Sequence, residues 1–131
     1  MRSMSSDKLI YLVAAEPKER ESLTTYLTKH EFNFKTFANF EDTITGISEE
    51  TPTLIVLAGS NIPSPDICKF GVTVEQSSGV PIVALLTELQ VSIVSEMAES
   101  ENLWTAEYPI SLREIRTSIL EALEEIAGTA K

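Results

Sequence analysis

Thiol and imidazole groups are few in this sequence, and they stand apart from one another. Cys68 is the single cysteine and His30 the single histidine. A nucleophilic thiol needs a neighbouring base or cation to hold it as thiolate, and a metal needs several ligands at matched spacing. His30 has no Cys, His or Asp at ligand spacing. Cys68 falls in the apolar pattern Ile67, Cys68, Phe70, Val72, which reads as a packed core thiol. His30 follows TYLTK near a helix end and reads as a solvated cap. Glu16 and Asp66 stand beside helix starts, where an acid complements the dipole. Thr87 precedes Glu88 in the manner of an N-cap. The stretch LIVLAGSNIP, Leu54 to Pro63, runs from a buried strand into a loop through Ala58, Gly59 and Ser60. Ligands of open parallel sheets usually sit at such carboxyl ends of strands, yet this one offers no carboxylate, thiol or base.

The overall balance of charge narrows the partners. Ten Lys and Arg against twenty Asp and Glu leave a formal charge of -10 in 131 residues. That excess repels a phosphate backbone and anionic lipid unless the bases cluster. They do not: Lys8, Lys18, Arg20, Lys29 and Lys35 are scattered among acids, and Arg113 and Arg116 flank Glu114. Nucleic acid and membrane are therefore excluded as expected partners. A 43% hydrophobic fraction at this length fits one domain with a real core. One cysteine forms no internal disulfide, and no apolar leader or membrane-length run occurs, so a reducing, cytoplasmic location is expected. The domain is placed at residues 8–127, with flexible ends at 1–7 (MRSMSSD) and 128–131 (GTAK).

Short apolar runs alternate with helical periodicity, the pattern of a parallel sheet flanked by helices. LIYLVAA, Leu9 to Ala15, reads as the first strand. PKERESLTTYLTKH opens a helix at Pro17 with Leu23, Tyr26 and Leu27 on one face. Phe32, Phe34 and Phe37 suggest a short second strand with aromatic burial, and Asn39 caps a helix carrying Ile44 and Ile47. Pro52 opens a third strand, TLIVLA, and Ser64 then reads as an N-cap with Pro65 at the first helical position, closing near QSSG. PIVALL, Pro81 to Leu86, is the fourth strand, and Val91, Val94 and Met97 mark the next helix face. LWTAEY mixes polar with apolar residues and reads as a fifth strand at an edge. SLRE is a capping box at Ser111 and Glu114, followed by a stripe from Leu112 to Ile126 that stops at Gly128. The class is α/β, with five β-α units and no internal repeat.

These residues resemble the receiver domains of bacterial response regulators, the CheY-like family. YLVAAEPKERESL is similar to the opening of that family, an apolar strand ending in an acidic pair with Pro, Arg and Leu following. PTLIVLAGSNIPSPDIC resembles its third strand and loop, VPIVALLTE its fourth strand, and EYPIS the Lys-Pro segment before its last helix. The likeness spans Lys8 to Ala127 and rests on the order and spacing of mostly apolar motifs. It implies a flavodoxin-like, doubly wound (βα)5 fold with a five-stranded parallel sheet in the order 2-1-3-4-5. As fillers of an unrelated flavodoxin-like sheet, Ala14, Ala15, Ala58 and Gly59 would be ordinary small residues, but the coincident Pro17, Pro63 and Tyr108-Pro109 favour the receiver.

The same resemblance implies a degenerate phosphorylation cleft. The cation-binding acidic pair falls on Ala14 and Ala15, leaving Glu16. The phosphoacceptor falls on Ala58 counted from Pro52 and on Gly59 counted from Pro63. The hydroxyl residue falls on Leu86 or Thr87. The lysine falls on Tyr108, before Pro109. Magnesium needs carboxylates to replace its waters, and transfer to an aspartate needs the acceptor, the cation and a fixed base. The expectation is a non-enzymatic pseudo-receiver without metal or cofactor, acting as a protein-interaction module in two-component-type signal transduction. Its partner would be a signalling kinase or an output protein, or a second copy in a homodimer. The resemblance places such contacts on the fourth helix, fifth strand and fifth helix, here Val91, Met97, Trp104, Tyr108, Arg113 and Arg116. A competing expectation is a small-molecule sensor whose emptied cleft holds a neutral ligand against Tyr108. A third, a cryptic enzyme, lacks a nucleophile and base.

Overall fold

A continuous apolar strand must be covered on both faces, and helices returning between parallel strands supply that cover. In the computed structural model, which describes residues 9–29 and 33–107, this is the arrangement. Strands β1 (Leu9–Ala14), β2 (Asn33–Phe37), β3 (Leu54–Ala58), β4 (Ile82–Leu86) and β5 (Leu103–Glu107) alternate with helices α1 (Pro17–Lys29), α2 (Phe40–Glu49), α3 (Ser64–Ser77) and α4 (Glu88–Met97). The sheet is parallel throughout, in the order β2-β1-β3-β4-β5. This is the flavodoxin-like, doubly wound α/β fold. The Ser111 capping box and the stripe to Ile126 lie outside the described residues, as do His30, Phe32 and the two chain ends.

Every residue of β1, β3 and β4 is buried. Their side chains alternate between two apolar layers, as the two-residue period of a strand requires. Tyr11, Val13, Ile55, Leu57, Ile82 and Leu86 enter the first layer, with Ile47 of α2, Ile67 and Phe70 of α3 and Val94 of α4. Ile10, Leu12, Ala14, Val56, Ala58 and Leu85 enter the second, with Leu23 of α1. Each buried aliphatic side chain of this size contributes about 1.5–3 kcal/mol relative to exposure. β2 and β5 are the edges and are correspondingly more exposed, so the mixed LWTAEY pattern did mark an edge strand.

Several boundaries differ from the sequence reading. β1 stops at Ala14, and Ala15 turns outward. β3 begins at Leu54, two residues after Pro52, and the ladder there is joined by Thr53 N donating to Leu9 O at 2.7 Å. Pro63, not Ser64, holds the N-cap position of α3. Its carbonyl accepts from Asp66 N and Ile67 N, and Pro65 then removes one N–H that the first turn would otherwise leave unpaired. Asn39 caps α2 as expected, its Oδ1 accepting from Asp42 N at 2.8 Å. On α2, Ile47 is buried but Ile44 is 37% exposed, because Thr43 takes the core-facing place one turn earlier. α3 ends where Gly79 adopts φ 71°, and its N–H joins that of Ser78 on Val74 O.

Tyr11 ties α2 to the sheet. Its ring is fully buried and lies 4.7 Å from that of Phe37 in a tilted contact. Its hydroxyl reaches the carbonyls of Gly46, at 2.9 Å, and of Glu50, both at the end of α2. Burial pushes the phenol above its ordinary pKa, so it remains a donor. Tyr11→Phe keeps the ring and removes that donor, and should cost about 1 kcal/mol. The check is a lower urea midpoint with an unchanged slope; an unshifted midpoint would mean that water replaces the hydroxyl without loss.

Candidate functional site

Three strands deliver their carboxyl ends to one place, and their last residues are small or apolar. Ala14 pairs in register with Ala58, and Ala58 with Leu85. Ala14 and Leu86 are fully buried, and Ala58 is 5% exposed. Beyond the strands, Ala15 and Glu16 are exposed and Gly59 is buried. The structure therefore brings Ala14, Ala58, Gly59, Leu86 and Thr87 together, with Glu16 at the rim. Tyr108 and Pro109 lie outside the described residues.

Of the two positions where an acceptor could fall, Ala58 already carries a Cβ within the sheet, whereas Gly59 carries none and is closely approached by its neighbours. A Cβ at Gly59 would lie 2.8 Å from Leu86 Cδ2 and 3.2 Å from Ile67 Cδ1. Gly59 permits the close passage of the loop over α3 and β4, and a side chain there requires Leu86 to move. Ala58 ends β3 directly beside Ala14, on the layer that α1 covers.

Several polar groups at this end are engaged within the fold. Arg20, on the first turns of α1, reaches back so that its Nη1 donates to Ala14 O at 2.7 Å. Thr87 caps α4, its hydroxyl accepting from Gln90 N at 3.2 Å while Gln90 Oε1 accepts from Thr87 N at 2.9 Å. The Gln90 amide nitrogen donates to Gly59 O at 2.8 Å and to Ile62 O at 2.9 Å. One side chain thus fastens the β3–α3 loop to the start of α4, with all its hydrogen-bonding groups used. Gln90 was not singled out from the sequence, although Thr87-Glu-Leu-Gln90 has the same capping-box spacing as SLRE. Its two long-range bonds are invisible to spacing. The Arg20 contact was missed for the same reason.

Chemically, this end of the sheet presents carbonyls, methyls, the Thr87 hydroxyl committed to its cap, the Ser60 hydroxyl in the loop and the exposed Glu16 carboxylate at the rim. Among the described residues no three His, Cys, Asp or Glu side chains gather as metal ligands. Asp66 is exposed in the first turn of α3, and Cys68 is buried, its thiol pushed up by burial and, secondarily, by Glu99. Residues expected on one interaction face are divided by the sheet. Val91 packs on the layer of α2, α3 and α4, whereas Trp104 packs on the opposite layer with Ala106. The alternation along β5 sends Leu103 one way and Trp104 the other. Met97 is 43% exposed and borders α3. Arg113 and Arg116 lie outside the described residues.

No protein-family model and no curated protein matches the sequence. Solved structures do resemble it. NtrX from Brucella abortus, solved in complex with ADP, superposes with a TM-score of 0.74 at 17% identity over 93% of this chain, which spans 27% of that chain's length. The N-terminal domain of a response regulator/sensory box/GGDEF 3-domain protein from Carboxydothermus hydrogenoformans gives 0.75 at 16% identity, covering 95% of this chain and 100% of that one. Chemotaxis protein CheY4 from Vibrio cholerae gives 0.72 at 14% identity, covering 87% and 97%. The fold is that of response-regulator receiver domains. At these identities the likeness establishes the fold alone.

Gln90→Glu isolates the clamp, because a carboxylate preserves the cap on Thr87 but turns an acceptor toward Gly59 O and Ile62 O. Hydrogen exchange at residues 59–62 should quicken and the melting temperature should fall. Facing two carbonyls, the new carboxyl is better protonated in the folded state, so its folded pKa lies above the unfolded value of about 4.3. The folded state then binds more protons, and the variant should lose stability relative to the parent as pH rises through and above that value. Exchange and melting that match the parent at every pH would remove the clamp's significance.

Proposed function

We propose that the chain is a receiver-type domain without phosphotransfer, acting as a protein-interaction module in bacterial two-component-type signal transduction in the cytoplasm. The observation that carries this reading is the in-register pair Ala14 and Ala58 at the carboxyl end of the sheet. The receiver fold would need acids there to hold a cation and accept a phosphoryl group. Two methyls supply neither charge nor nucleophile, and the exposed Glu16 alone is a poor replacement for magnesium's waters. Arg20 further places a guanidinium on Ala14 O, against a second cation.

Without a ligand that binds two conformations unequally, no chemical signal biases one over the other. The Gln90 clamp supports a domain held in a single arrangement, whose output is the surface it presents. A kinase or an output protein is the expected partner class. The Carboxydothermus protein, in which a response-regulator domain accompanies sensory box and GGDEF domains, accords with a receiver serving other modules. The charge of -10 argues for protein over nucleic acid or anionic membrane. No helix among the described residues is long and apolar enough to cross a membrane.

Acetyl phosphate with magnesium should leave the intact mass unchanged; a stoichiometric gain of one phosphoryl group would overturn the reading. Restoring acids gives the converse test. In Ala14→Asp with Ala58→Asp, two carboxylates about 5 Å apart would repel by roughly 3 kcal/mol at an effective dielectric near 20. That variant should melt lower in chelator and recover partly with magnesium, while the parent melts alike in both. A magnesium-dependent shift in the parent would mean that the cleft still binds the ion.

A further inference from the structure

α4 carries more apolar surface than the core uses. Val94 faces inward, but Leu89 is 70% exposed and Met97 43%, with Ile93 half-buried between them. These three stand four residues apart and so form one row along the helix. Met97, at its end, borders a groove of 280 Å³ between α3 and α4, lined also by Pro65, Cys68, Lys69, Val72 and Glu99. That volume lies below the roughly 300–1,000 Å³ of small-molecule sites. It suits one or two side chains inserted from a larger body.

The groove lining itself carries one acid, Glu99, and one base, Lys69, but charge over the elements that form it is one-sided. Asp66, Glu75, Glu88, Glu96, Glu99 and Glu101 lie on α3, α4 or the segment after α4, with Lys69 as the single base on the same elements. A second copy of this chain, also at -10, would bring acids against acids. A partner with an apolar row and basic flanks meets both features at once.

We infer that the groove between α3 and α4 docks an amphipathic helix of a partner protein, its apolar residues seated beside Met97 and Val72 and its Lys or Arg residues facing the surrounding acids. The inference rests on the interaction-module reading and locates its surface on α3 and α4. Met97 is the α4 residue that lines the groove, Ile93 and Leu89 continue its helix row away from it, and Cys68 on the groove wall reports occupancy because it is the only thiol in the chain.

The test uses the full chain and two synthetic amphipathic helical peptides, with Leu on one face and either Lys or Glu on the other. The Lys peptide should shift amide signals of Cys68, Lys69, Val72 and Met97, slow modification of Cys68 by a thiol reagent, and weaken as salt rises. The Glu peptide should do none of these. Met97→Glu should weaken the Lys peptide by about tenfold or more, and the exposed Leu89→Ser provides a second variant should Met97→Glu not fold. Binding elsewhere on the surface, equal binding of the Glu peptide, or no effect of either folded variant overturns the inference. So does a dimer in sedimentation that Met97→Glu separates, since the occupant would then be a second copy. Phosphoryl uptake from acetyl phosphate would end the inert-receiver reading while leaving the groove result standing. An unchanged mass with a silent groove would remove the groove alone.

Discussion

Register between β1 and β3 constrains the rest of the molecule. Because both strands are buried on both faces, each residue is committed to one apolar layer or the other, and a slip of one position would exchange the layers throughout. The observed register sets Ala14 against Ala58 and carries β4 along with Leu85 opposite Ala58. From that alignment follow the closed approach of Gly59 to Leu86 and Ile67, and the position of the β3–α3 loop within reach of Gln90. The layer of α2, α3 and α4 is further joined by Phe40 stacked on Phe70, with ring centres 4.1 Å apart.

At the carboxyl end of the sheet, the physical character of the cleft is set by what its residues do not ask of the solvent. A cluster of carboxylates would have to be compensated by a bound cation or by protonation, since like charges in one cleft raise each other's pKa. Methyls carry no such requirement. Several of the polar groups that remain find partners within the fold: Ala14 O with Arg20, Gly59 O and Ile62 O with Gln90, and the Thr87 hydroxyl with the first turn of α4. On the proposed reading, the coupling between the β3–α3 loop and α4 is supplied by the chain's own amide in place of a ligand. That makes the surface of α3 and α4 a fixed feature, suited to recognition by shape and charge.

Much of the architecture was legible in the sequence because its signals are local. Apolar runs marked β1, β3 and β4, Pro17 marked the start of α1, and Asn39 and Thr87 were readable as caps from their side-chain chemistry alone. The absence of acids at Ala14, Ala15, Ala58 and Gly59 was equally plain once the strands were aligned. Local signals failed where neighbouring residues offered the same chemistry. Pro63 and Ser64 both sit at the start of α3, and only the path of the loop chose Pro63 as the cap.

Composition and spacing by themselves determined an acidic α/β chain with three continuous apolar strands, while the expectation of a degenerate cleft came from the resemblance to receiver domains. They could not show that a side chain at Gly59 would meet Leu86 and Ile67, because those residues are brought there by other elements. Nor could they divide Val91 from Trp104, which depends on which face of the sheet each crossover covers. The Gln90 clamp spans 31 residues to Gly59, and the groove beside Met97 exists only where α3 lies against α4. Such features arise from contacts between segments distant in the chain, and a linear pattern carries no record of those distances until packing and strand register bring them together.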